Sequence, residues 1–176
     1  MWLIRPSHQP IIMPDQTTPN SPASSGYILT EATPEDRPAM AKLWVETWSK
    51  TMPDIDFVAR LPWLESHLDS LIAGGASIRV AREEREDGPV AGFVVIHPGT
   101  GYLDQLAVAP SAWGKGAAEA LMAEVRRLSP ALVALDVNQD NPRAVRFYEK
   151  MGLAIVSEGA NPMSGRLTYR MEWRGV

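Results

Sequence analysis

The chain has 176 residues, no cysteine, three histidines and a formal net charge of −4, with a pI near 5.4. These values exclude a disulfide framework, a thiolate nucleophile and a Cys-ligated zinc, and they argue against a His-rich metal site. The acidic balance argues against non-specific nucleic-acid binding, which needs a basic face, and it suits a cationic or amine substrate.

Residues 1–26 are rich in Pro, Ser, Thr, Gln and Asn and show no period of 2 or 3.6. They read as an irregular tail ahead of one domain over 27–176. The start lacks a basic region followed by an apolar core and a cleavage site, and no stretch is long enough to span a bilayer, so a cytoplasmic protein is expected. Tyr27 to Thr30 reads as a strand. Thr33-Pro34-Glu35-Asp36 is a helix start, with a capping Thr, Pro at the first helical position and acids in the first turn, unless Pro38 moves the start later. Met40, Leu43, Trp44 and Thr47 or Trp48 then share one helix face. Thr51 to Asp56 reads as a loop. Phe57 to Ala73 reads as a second helix with a break at Pro62, stopped by Gly74-Gly75.

Ser77 to Glu83 and Val90 to His97 form a predicted hairpin around Asp87-Gly88. The acidic run Glu83-Glu84-Arg85-Glu86-Asp87 reads as a solvated turn. Tyr102 to Val108 is a third strand. Lys115 to Leu128 is helical, with Ala117, Ala118, Leu121, Met122, Val125 and Leu128 on one face. Ala131 to Val137 reads as a buried strand. A helix runs from Asn141-Pro142 to Gly152, and Leu153–Ser157 and Arg166–Trp173 make a closing antiparallel pair. This order is α/β with a mixed sheet. A helical crossover joins the strands ending at Val108 and Val137, so those two run parallel. Ligands of such sheets bind beyond the carboxyl ends of the strands, where Gly114 to Ala118 lie. Glycines let a backbone approach a ligand, and a helix start offers free amides to a phosphate.

Two segments carry a family resemblance. Leu106-Ala107-Val108-Ala109-Pro110 leads into Trp113-Gly114-Lys115-Gly116-Ala117-Ala118, and Asn141-Pro142-Arg143-Ala144-Val145-Arg146-Phe147-Tyr148-Glu149-Lys150-Met151-Gly152-Leu153 follows downstream. Together they resemble the acetyl-CoA loop and the Asn-x-x-Ala-x-x-Phe-Tyr signature of the GNAT superfamily of N-acetyltransferases, over about Tyr27 to Trp173. The resemblance implies a mostly antiparallel sheet with one splayed parallel pair, flanked by helices. It implies acetyl-CoA as cosubstrate and no metal. Leu106, Ala107, Val108, Trp113, Gly114, Lys115, Gly116, Ala117, Ala118, Asn141 and Tyr148 would contact the coenzyme. One position departs: Trp113 stands where the family usually has Gln or Arg. Lys115 or Lys150 is expected to supply the missing charge.

Within that frame, Tyr148 is the implied general acid for the departing thiolate. The plainer reading of Tyr148 is a core aromatic. Asn141 suits a helix cap before Pro142, and the resemblance adds a contact to the pantetheine arm. Asp104 should share the strand face of Leu106 and Val108 and serve as the base for an incoming ammonium, or else as a structural acceptor. His67 and His97 rank behind Asp104 as bases and read first as surface or core residues. Trp44, Trp48 and Trp63 read as core, or as the wall of an acceptor pocket. A lysine-type acceptor with a pKa of about 10.4 needs a base, whereas an α-amine near about 8 barely does.

The expected reaction is acetyl transfer to a primary amine of a small molecule, peptide or protein, by direct attack in a ternary complex. The backbone amide of Leu106 or a neighbour would steady the oxyanion. The alternative is a non-catalytic coenzyme-A-sensing or protein-interaction module on the same fold. Neither nucleic acid nor membrane is an expected partner, and the chain is read as a monomer or homodimer.

Overall fold

The computed structural model describes residues 26–175. The reading of the N-terminal tail therefore lies outside the described residues, save its last position. In chain order the elements are β1 (Tyr27–Glu31), α1 (Arg37–Thr51), α2 (Leu61–Ala73), β2 (Ser77–Glu83), β3 (Val90–His97), β4 (Tyr102–Val108), α3 (Ala117–Leu128), β5 (Leu132–Asn138), α4 (Pro142–Lys150), β6 (Ala154–Ala160) and β7 (Leu167–Arg174). One seven-stranded sheet takes the order β1-β2-β3-β4-β5-β7-β6. Every pairing is antiparallel except β4 with β5. The architecture expected from the sequence is the one observed.

Helices cover both faces. On α3, Ala117, Leu121, Met122 and Val125 are buried at helical spacing. They pack with Val94, Ile96, Leu103, Val108, Val133, Leu135 and Met171, and α4 adds Phe147 and Tyr148 to the edge of that cluster. On the opposite face Met40, Leu43 and Trp44 of α1 and Leu64 and Leu68 of α2 bury against Val80, Phe93, Val95 and Ala107. Phe93, Val94, Val95 and Ile96 of β3 are fully buried because layers lie on both sides of them.

Three local readings are decided or changed. A short 3-10 turn at Pro34–Asp36 precedes α1, which starts at Arg37 with Pro38 in its first turn, the later of the two starts read from the sequence. Pro62 does not break a longer helix: it sits in the first turn of α2, where a missing N–H costs nothing, and Phe57 lies buried in the loop before it. The third change concerns Asp104. Val95 pairs with Gln105 and Ile96 pairs with Leu103, so Asp104 is one residue too many on β4, a β-bulge. The bulge reverses the alternation. Leu103, Leu106 and Val108 pack toward α3, while Asp104 and Gln105 reach α2 and α1. Asp104 thus does not share the face of Leu106 and Val108.

The parallel pair β4–β5 is joined at a single register position, Tyr102 opposite Ala134. The Tyr102 hydroxyl braces that end by donating to Asp136 Oδ2 at 3.0 Å. Beyond it the strands separate and leave an opening in the sheet. Among the described residues no helix is long and apolar enough to cross a membrane.

Candidate active site

The opening between β4 and β5 is the floor of a cleft of about 480 Å³. Its walls are Leu103 to Leu106 and Val108 from β4, Leu135 to Asn138 from β5, Gly114 and Gly116 to Glu119 from the loop and start of α3, and Ala144, Phe147 and Tyr148 from α4. Trp44, Thr47, Trp48, Phe57, Arg60 and Trp63 close the side formed by α1 and α2.

The amides of β4 divide between two neighbours. The Ala109 N–H donates to the Ala91 carbonyl at 2.7 Å, toward β3. Ladder alternation turns Ala107 and Gln105 the same way, so the amides of Leu106 and Val108 face the opening, where no β5 residue stands opposite. The Val108 carbonyl on that side accepts from the Thr47 hydroxyl and the Trp113 indole, both at 2.8 Å.

At the mouth of the cleft the chain enters α3 through Gly114 at φ 73° and Gly116 at φ 92°. A Cβ at either glycine would meet nothing within 4 Å. Gly116 caps α3 without a side-chain acceptor. Among the described residues the amides of Gly114, Gly116, Ala117, Ala118 and Glu119 have no partner. Several unpaired N–H groups beside open space, at the positive end of a helix, fit a diphosphate. The residues present therefore fit the coenzyme's charged end.

Charge at this mouth comes from a residue that the sequence reading does not single out. Arg143 lines the cleft with its guanidinium carbon 3.8 Å from the centre of the Trp113 ring, and no carboxylate pairs with it among the described residues. The Trp113 indole N–H is turned back to the strand, so this side chain offers its ring rather than a polar tip. Of the two lysines expected there, Lys150 lies 3.5 Å from Glu119, and Lys115 is exposed and outside the cleft lining.

Asn141 is the N-cap of α4, its Oδ1 accepting from the Ala144 N–H at 3.2 Å, and it also lines the cleft. The capping role read from Asn141-Pro142 is present. Tyr148 is half-buried, and its hydroxyl has no hydrogen-bond partner among the described residues. Burial pushes its pKa well above the ordinary tyrosine value, so it carries its proton at neutral pH. Phe147 meets it edge-on, ring centres 5.4 Å apart.

Across the cleft, Asp104 Oδ1 lies 2.8 Å from His67 Nε2 and accepts from the Gln105 side chain at 3.1 Å. Gln105 in turn accepts from the Trp44 indole at 3.1 Å. Asp104 Oδ2 has no partner among the described residues. His67, ranked behind Asp104 in the sequence, is thus coupled to the candidate base. It stacks on Trp63 with ring centres 4.6 Å apart. His97 sits elsewhere, bonded to the Gly74 carbonyl. Trp44 is 3 % exposed and a core residue, yet all three tryptophans of α1 and α2 also face the cleft. Over this end Arg166, from the β6–β7 connection, pairs with Asp54 at 2.7 Å and with Asp140. Among the described residues no group of three His, Asp or Glu side chains could hold a metal ion.

The chain's residues 37–153 match the model of the acetyltransferase (GNAT) family. It is 30% identical over 146 residues to the peptidyl-lysine N-acetyltransferase YiaC of Escherichia coli (strain K12), covering 83% of this chain and 96% of that protein. Among solved structures it is similar to the PaiA N-acetyltransferase of Thermoplasma acidophilum in complex with coenzyme A. That match has a TM-score of 0.70 and 16% identity over 84% of this chain and 98% of the other. It is also similar to yncA of Salmonella typhimurium, solved with acetyl-CoA, at a TM-score of 0.58 and 18% identity over 85% and 94%. These two structural likenesses bear on the fold.

Proposed function

The chain belongs to the acetyltransferase (GNAT) family and is an acyltransferase, and from that premise we propose that it moves an acetyl group from acetyl-CoA to a primary amine by direct attack in a ternary complex. The observation that carries this reading is the set of unpaired amides of Gly114 and of Gly116 to Glu119 at the mouth of the β4–β5 opening. They would take the diphosphate, with Arg143 beside them, and the acyl end would reach into the sheet. Ala107 lies on the strand between the two amides that face the opening, while Lys115 is exposed beside the loop.

There the Leu106 amide, aimed into the opening, would meet the charge that grows on the thioester oxygen. The amine adds to the carbonyl carbon, the carbon–sulfur bond breaks, and the electron pair leaves on sulfur. Tyr148 would give its proton to that thiolate. The ammonium proton would pass to Asp104, directly or by way of His67. With no cysteine in the chain, no acetyl-cysteine intermediate forms.

Acceptor-dependent thiol release from acetyl-CoA, run over a panel of amines with mass spectrometry of the products, tests this. An acetylated amine formed in step with free thiol is expected. Tight coenzyme binding with no acceptor-dependent release across the panel would overturn the transferase reading in favour of a binding module.

A further inference from the structure

Three loops meet over the α1–α2 end of the cleft, and one side chain joins them. Arg166 Nη2 donates to Asp54 Oδ2 at 2.7 Å, and its Nη1 donates to Asp140 Oδ2. Asp54 lies between α1 and α2, 112 positions away in the chain. Asp140 lies 26 positions away, just ahead of Asn141, the N-cap of α4. Each loop lines the cleft beside its charged residue: Ile55 next to Asp54, Asn141 next to Asp140, and Met163 and Ser164 in the β6–β7 turn. That turn is itself fixed. Asn161 Oδ1 accepts from the amides of Met163 at 2.9 Å and Ser164 at 3.1 Å, and the Asn161 N–H donates to the Arg166 carbonyl at 2.8 Å. A lone exposed ion pair stabilises little. A planar guanidinium that serves carboxylates on two loops holds both in place, and the Arg166 side chain is only 27 % exposed.

We propose that Arg166 is a specificity-determining residue: its bridge across the three loops roofs this end of the cleft and restricts the acceptor to a free small-molecule amine, excluding an amine embedded in a polypeptide. This rests on the transferase reading above. The whole cleft is about 480 Å³, the size of a small-molecule site, and the acyl end of the coenzyme takes part of it. An amine on a short body fits beneath the bridged loops. A residue of a polypeptide carries chain on one or both sides, and that chain would have to cross the bridge. Two carboxylates against one guanidinium leave a net negative charge at the rim, which draws in an ammonium.

The test compares matched pairs of amines on the full chain: Nα-acetyl-lysine methylamide with the same lysine inside an alanine-rich peptide, and phenylalanine amide with a peptide that begins with phenylalanine. Two readouts are taken, kcat/KM from thiol release and equilibrium binding from tryptophan fluorescence. In at least one pair the small member should be favoured about tenfold or more in both, within the range that fit to a pocket supplies. Arg166→Gln should bring that ratio close to one because the peptide member gains. Asp54→Asn combined with Asp140→Asn, which keeps Arg166 and removes its partners, should do the same. A general loss of structure would instead lower both members together. In the parent protein the ratio should shrink as salt is raised, and in Arg166→Gln it should not respond. Circular dichroism checks that the variants fold.

No small member bound better than its peptide counterpart, or a ratio unchanged in both Arg166→Gln and the double aspartate variant, would each overturn the proposal. The two readouts separate the claims. Acetylation of both members at equal rates leaves the transferase reading standing and removes this one. A preference for the small member in binding that Arg166→Gln erases, with no acetylation, does the reverse.

Discussion

The guanidinium carbon of Arg143 lies 3.8 Å from the centre of the Trp113 ring, at the mouth of the cleft. A cation over an indole face is held by the ring's quadrupole and keeps its N–H groups free at the edge. On the proposed function, the pair would do in two pieces what one Gln or Arg does in the usual loop. Arg143→Ala should weaken acetyl-CoA binding by about tenfold, as the loss of one charged contact does. Calorimetry measures it, and the salt dependence of the affinity should shrink with it. An unchanged affinity would return the role to Lys115. Trp113→Leu should give a smaller loss, because the arginine remains but loses its platform.

Gly116→Glu should abolish coenzyme binding. A side chain there fills the space that is open above the amides and brings a charge of the same sign as the diphosphate. Gly116→Ala separates the causes. Its Cβ meets nothing within 4 Å, but a left-handed residue other than glycine costs about 1–2 kcal/mol. The alanine variant should melt slightly earlier and keep part of the affinity. If the glutamate variant binds as well as the parent, the loop assignment is wrong.

Tyr148→Phe should lower turnover about a hundredfold or more, the contribution of a general acid, with acetyl-CoA affinity almost unchanged. The pH profile adds a second check. Burial raises the phenol above its ordinary pKa, so it holds its proton through mildly alkaline solution, and no fall in turnover from its ionisation is expected below about pH 10. The sign for stability follows. The folded state favours the neutral phenol, so its contribution is complete below about pH 10 and is lost as pH climbs further. Full turnover in the phenylalanine variant would take Tyr148 out of the chemistry.

Asp104→Asn should raise the pH at which the acceptor reaction runs, because the amine must then arrive already neutral. A lysine-like amine should suffer more than an α-amine, their pKa values being about 10.4 and about 8. His67→Gln should act in the same direction but more weakly if it only orients the carboxylate. Steady-state rates from pH 7 to 10 with both amine types decide this. Equal loss with both amines at every pH would mark a structural pair instead.

Much of the fold was legible because it repeats simple spacings. The buried face of α3 shows in the sequence at helical intervals, and the paired segments around Gly114 and Asn141 mark one end of the cleft. The α1–α2 side was legible only in part: Trp44, Trp48, Trp63 and Asp104 could be named, but not the arrangement that joins them. Asp104 and His67 stand 37 positions apart, and no local pattern joins them. Strict alternation through Leu103-Asp104-Gln105-Leu106 assigns Asp104 to the wrong face, since a bulge leaves no composition signal here. Pro62 reads as a break inside a helix or as its first turn from the same residues. Arg143 looks like any exposed residue of a first turn until the ring beneath it is seen.

The extra residue on β4 has a further consequence. Without Asp104, Leu103 and Gln105 would be neighbours, Ile96 and Val95 would still face them, and every apolar side chain of the strand would keep its side. The hydrophobic parity of the strand is already complete with six residues. The seventh is surplus to the architecture, so a chain shortened by that single carboxylate should remain a sound scaffold, without the group proposed to take the proton.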